Sequence, residues 1–318
     1  MTKKILIATT ALVAFATTAS AHRAWLVPSI TTLSDTNQYI TVDAAISNDL
    51  FYADHQPMNT DGIKVWAPDG TTGQIANAAK GQYRSVFDVK IDKPGTWRIG
   101  TADSNVGGTF KVNGELWGVG RGRGGMGPGG PGGPGAGRPG GPAAPGGARP
   151  PAPQAGGPGE GGPRPPMIAP DHRVATVAEI PAGATELNLT ESVMRNEFYV
   201  TAGAPTQTLF QPTNKGLEMV PVTHPDELVS NEPGQFRFLV DGKPAAGLKV
   251  SVVPGNKRFR ETEQAAELTT AADGLLTVKW PVPGVYWINA TVNDDKPSVA
   301  KATKRRLAYT ITVEVPAP

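Results

Sequence analysis

From Tyr39 to Ser47 apolar and polar side chains alternate in "YITVDAAIS", and the same period of two returns in "IKVWAPDG", "YRSVFDVKI" and "GTWRIGTA". Alternation of this kind turns one side of an extended segment into a core and the other into solvent, so each segment is read as a half-buried strand. Turn residues such as Pro68-Asp69-Gly70 separate them. Beyond residue 170 the pattern continues through "HRVATVAEI", "TELNLTES", "NEFYVTAG", "LEMVPVT", "GQFRFLVDG", "GLKVSVVPG", "GLLTVKW", "GVYWINATV" and "AYTITVEV". Short strands at this spacing predict an all-β chain folded into two β-sandwiches of the immunoglobulin-like or transthyretin-like kind. A weak internal repeat supports two of them. "RSVFDVKIDKPGTWRI" and "GLLTVKWPVPGVYWINA" each run from an alternating strand through a Pro-Gly turn (Pro94-Gly95, Pro283-Gly284) into a strand led by an aromatic residue. In such sandwiches that aromatic residue anchors a core, which speaks for fold and not for function.

Composition changes this picture at one place. Residues 118–166 hold 21 Gly and 13 Pro in 49 positions and no aromatic residue. A segment with so little apolar surface cannot offset its ordering entropy, so it is expected to be a disordered insertion. Residues 167–212, which follow it, are too few for a core of their own. They are assigned with residues 22–117 to a first sandwich domain, and residues 213–318 to a second.

The N-terminus reads as a secretory signal peptide over residues 1–21: Lys3 and Lys4, the apolar run "ILIATTALVAFATTA", then "ASA" as a cleavage site. Cleavage would leave His22 first and the product in a bacterial periplasm. With no cysteine there is neither a lipid attachment site nor a disulfide. Losing Lys3 and Lys4 takes the formal charge from +2 to zero, which argues against nucleic acid or an anionic membrane as partner. The tract itself carries five arginines against Glu160, a charge of +4 that leaves about −4 on the rest. Its arginine-glycine beginning lacks the aromatics that stack on bases.

"AHRAWLVPS" after the signal peptide, "GTWRIGT" with "GTFKVNG", and above all "GLEMVPVTHPDELVSNEPGQFRFLVDGKPAAGLKVSV" resemble an exported bacterial family catalogued as domain of unknown function 4198 and labelled a periplasmic component of nickel or cobalt uptake. The resemblance spans most of the chain outside the Gly/Pro tract. It implies partners in a metal-uptake system: a membrane transporter, a TonB-dependent receptor or a membrane reductase. Where typical members place an acid after the opening histidine, this chain has Arg23-Ala24-Trp25.

The chain has four histidines, His22, His55, His172 and His224. A residue made N-terminal by cleavage offers an α-amine, which titrates near ~8, beside its ring nitrogen, so one histidine supplies two metal ligands. Nitrogen donors suit Cu(II), Ni(II) and Zn(II). Copper-binding periplasmic sandwiches and oxidative polysaccharide monooxygenases both combine an N-terminal histidine with a second one. Here the second would be His55 in "FYADHQPM", with the carboxylate of Asp54 and the thioether of Met58 beside it, and His224 in "VPVTHPDEL" is a further candidate. His172 opens a strand and is a minor one. The metal ligands expected are therefore His22, His55, His224 and Asp54, holding one transition-metal ion (Ni, Co or Cu).

Catalytic motifs are missing: no cysteine nucleophile, no Gly-x-Ser-x-Gly elbow and no His-Glu-x-x-His pair occur. The expected function is non-enzymatic metal handling for uptake or homeostasis. Two alternatives stand beside it. One is a structural or adhesive two-sandwich module in which no histidine matters. The other is a mononuclear copper oxidase with a flat aromatic face, for which Trp25, Trp66, Trp97 and Trp117 are available and more readily serve as core.

Overall fold

The computed structural model describes residues 22–120 and 168–318; the expected signal peptide and the Gly/Pro tract from residue 121 to 166 lie outside the described residues. The chain is all-β, its regular structure made of strands in open sheets and a few short 3-10 turns. By contacts it divides into two compact units. One takes Met1–Asp103, Val193–Val292 and Leu307–Pro318, of which residues 22–103 of the first segment are described; the other takes Ser104–Ser192 and Asn293–Arg306.

In the first unit two sandwiches share a layer. One outer sheet has the order Arg23–Pro28, Gln38–Ser47, Ser85–Ile91, Ile75–Lys80, all antiparallel. Its inward residues Ile40, Val42, Phe87 and Val89 pack against Val65, Trp97, Ile99, Phe198 and Val200 of a larger sheet. A second outer sheet is built on Pro233–Val240, flanked by Leu217–Pro221 and Leu275–Lys279. Its Met219, Phe236, Phe238 and Val278 meet Val250, Tyr286, Ile288, Tyr309 and Ile311 of the same larger sheet. The alternation read along each strand is thus the inside-outside alternation of two sandwiches.

The repeat is visible in geometry. After Pro94-Gly95, the indole N–H of Trp97 donates to the carbonyl of Lys93 at 3.0 Å. After Pro283-Gly284, the hydroxyl of Tyr286 donates to the carbonyl of Val282 at 2.6 Å. Each aromatic residue is buried and reaches back four positions across its own turn. The two glycines hold φ of 115° and 148°, which a side chain would resist.

In the second unit Glu115–Val119 pairs antiparallel with Gly108–Val112 and parallel with Arg173–Val174. The Gly/Pro tract therefore begins later than expected, because Gly118 and Gly120 donate their amides to His172 and Val174 carbonyls at 2.9 and 3.0 Å. A ladder bond needs only backbone, so glycine-rich composition does not prevent it. Phe110, Val119, Ile180 and Leu189 form this unit's core. Buried Glu191 accepts from the Ser298 amide and hydroxyl, and Asp294 makes a two-point pair with Arg305. That pair holds the Asp294 carboxyl below its usual range, so its contribution is full above the ordinary aspartate value and is lost as pH falls. Asp294→Asn should lower the melting temperature at neutral pH and flatten its decline on acidification.

Candidate metal centre

Strand pairing brings His22 and His55 together. Arg23–Pro28 lies along one edge of Gln38–Ser47, with Arg23 opposite Ser47, and Gln56–Pro57 lies along the other, with Gln56 opposite Ile46. The residues just outside those two segments, His22 and His55, therefore flank the end of the strand between them. Their rings stack with centroids 3.9 Å apart and planes at 20°. His22 is exposed, whereas Nε2 of His55 is shut off from solvent and has no hydrogen-bond partner among the described residues.

The surroundings hold both residues in place. Arg23 is paired with Glu263 and lies 5.6 Å from the Trp287 ring. The indole of Trp287 donates to the Ala24 carbonyl at 3.2 Å, and that of Trp25 to the Ser47 hydroxyl at 2.7 Å. Trp25, Leu50, Val253 and Trp287 form a small core beneath the start of the strand. On the other side, the Asp54 carboxylate accepts from the amides of Asn48 and Asp49 at 2.8 and 3.2 Å, closing the loop that presents His55. Asp49 is in turn held by Lys257 at 2.6 Å.

The expected ligands separate on this geometry. Both Asp54 oxygens are engaged with backbone, so it serves the loop. Met58 packs against the first sandwich core. His224 is 5% exposed; its Nδ1 accepts from the Asp226 amide at 3.1 Å and caps the turn Pro225–Glu227. The ring proton is thereby assigned to Nε2, which faces the Thr96 hydroxyl at 3.0 Å and the Thr206 carbonyl at 3.3 Å. With both nitrogens used, His224 has no lone pair for a metal. His172 stacks on Trp117 at 4.7 Å in the second unit, 3.7 Å from Glu115. Asp54→Ala leaves two loop amides without their acceptor and should lower the melting temperature. Thermal unfolding checks this.

Among the described residues no group of three or more His, Cys, Asp or Glu could hold a metal ion. His22 and His55 are the two imidazoles that the fold places side by side. Trp25 and Trp97 are 2% exposed, Trp66 lies under Arg98, and Trp117 is partly buried against the second unit's core.

Sequence reasoning missed a buried ionisable cluster. The Glu197 carboxylate accepts from the hydroxyls of Tyr309 at 2.6 Å and Tyr199 at 3.2 Å and lies 4.0 Å from Arg98. Burial, reinforced by the Glu197 charge, raises both tyrosines well above their ordinary value. Its members lie up to 211 residues apart along the chain, at Arg98 and Tyr309, so no local motif announces it.

A family model described as a domain of unknown function, DUF4198, matches residues 19–294. The chain belongs to the DUF4198 family. The DUF4198 match takes in all four histidines and the whole first sandwich core, and stops short of the last strand of the second. No curated protein matches the sequence significantly. Among solved structures, a Salmonella alpha-2-macroglobulin aligns at 9% identity over 92% of this chain with a TM-score of 0.22. The chain spans only 15% of that protein's length. The D0-D1 domain of intimin aligns at 10% identity over 91% of this chain and 97% of its own, with a TM-score of 0.18.

Proposed function

We propose that this DUF4198 protein is an exported, periplasmic metal-handling protein, without catalytic activity of its own, that holds one transition-metal ion (Ni, Co or Cu) for uptake or homeostasis. What supports the reading is the adjacency of the His22 and His55 rings, which must turn out of their stack for both to face one ion. Signal-peptide cleavage before His22 would add the α-amine as a third nitrogen, the donor that the side chains do not provide. Three nitrogens favour copper(II) within this metal set, by ligand type and by the general affinity order. The expected recipients are a membrane transporter, a TonB-dependent receptor or a membrane reductase, as the family resemblance implies.

The test is calorimetric titration of the processed protein, starting at His22, with Cu(II), Ni(II), Co(II) and Zn(II). One ion per chain, bound most tightly as Cu(II) and more weakly as pH falls because protons compete for the same nitrogens, is the expected result. Binding that survives substitution of both His22 and His55 overturns the reading.

A further inference from the structure

A groove of about 440 Å³ opens on the outward face of the first sheet. One wall is the tight turn Gly81–Arg84, closed by an amide-to-carbonyl bond of 2.8 Å between its ends. Another is the loop Phe51–Ala53, and Asp43 and Trp25 come from the sheet itself. Its charged side chains are Asp43 and Arg84, which neutralise each other in a two-point pair at 3.3 and 3.4 Å. Beside them stand the Gln82 amide and two half-open aromatic rings, Tyr83 (48% exposed) and Tyr52 (42% exposed). Arg258 lies 3.9 Å from the Tyr52 ring and fixes it.

These features together select a ligand chemistry. A net anion would meet Asp43 and a net cation would meet Arg84, so the groove suits a neutral molecule. A wholly apolar ligand would strip water from the Asp43–Arg84 pair and the Gln82 amide without replacing it. What remains is an uncharged molecule with paired hydroxyls on its rim, to bond the carboxylate, guanidinium and amide, and a flat C–H face to lie on a tyrosine. A pyranose has both. The volume falls within the range of small-molecule sites and accommodates roughly one or two sugar rings. We propose that this groove binds a neutral saccharide chain, with Tyr83 as the stacking platform and Asp43, Arg84 and Gln82 as hydroxyl partners. The loop at Phe51–Ala53 leads two residues on to His55, so saccharide binding and the histidine pair share one loop. The proposal does not rest on metal binding.

The experiment is titration of the metal-free processed protein, followed by calorimetry and intrinsic fluorescence, with cellohexaose, xylohexaose, maltohexaose and chitohexaose, and with a polygalacturonate hexamer as the charged control. Binding of at least one neutral hexamer, weakened roughly tenfold by Tyr83→Ala at unchanged melting temperature, is the expected result. Because Tyr83 is exposed at a turn, its removal should leave folding intact, and Gln82→Ala serves as a second variant. Failure of every neutral hexamer to bind, preference for the uronate, or binding that ignores both Tyr83→Ala and Gln82→Ala overturns the proposal. A positive sugar result without metal binding leaves it standing while the histidine reading falls.

Discussion

One alanine placed before His22 in the processed protein should lower its copper(II) affinity by more than about 100-fold, beyond the 10–100-fold usual for an outer-shell partner. The addition turns the α-amine into a peptide nitrogen, which is not a ligand until it loses its proton, while every side chain in the fold stays as it was. His55→Ala should produce a loss of the same order by removing the buried Nε2. His224→Ala provides the contrast. It should leave metal affinity unchanged and cost about 1–3 kcal/mol of stability, because the Asp226 amide and Thr96 hydroxyl lose a buried partner. Titration calorimetry and thermal unfolding of the three variants together separate a ligand from a packing residue.

Glu197→Ala should destabilise the chain by about 3–5 kcal/mol, the largest single-residue effect expected outside the apolar cores. It strands two buried hydroxyls, on Tyr199 and Tyr309, and leaves the largely buried Arg98 without its counter-charge. Glu197→Gln keeps an acceptor for the hydroxyls and loses only the charge, so its cost should be smaller. The same cluster gives the chain an alkaline limit. Both tyrosines are raised in the folded state, so their contribution is complete below the ordinary tyrosine value of 10.0 and is lost as pH rises above it. Ultraviolet titration of the tyrosines should therefore show two that ionise only as the protein unfolds.

The all-β character and most strands were legible because alternation depends on which side of a strand faces the core, a local property of the sequence. Strand length was less so. Gly95–Val112 is a single strand, yet its middle, "ADSNVGG", is polar and glycine-rich and reads as a break. Backbone pairing carried the ladder through residues whose side chains gave no signal. The same holds for Gly118 and Val119 at the edge of the Gly/Pro tract.

The candidate histidines were legible by residue type, but the contact of His22 with His55 was not, because it depends on two segments lying along opposite edges of one strand and ending at the same level, which is a property of register. Asp54 and His224 were chosen for their chemistry, and in the fold that chemistry is spent on backbone amides. Short-range polar residues in turns commonly serve in this way.

Electron paramagnetic resonance of the copper(II)-loaded processed protein tests the central claim most directly, because nitrogen hyperfine structure counts the donors. The account predicts three nitrogens in the processed protein, with one lost in His55→Ala and a changed spectrum when an alanine precedes His22. A spectrum identical in all three proteins would show that copper sits elsewhere and that the histidine pair is not a metal centre.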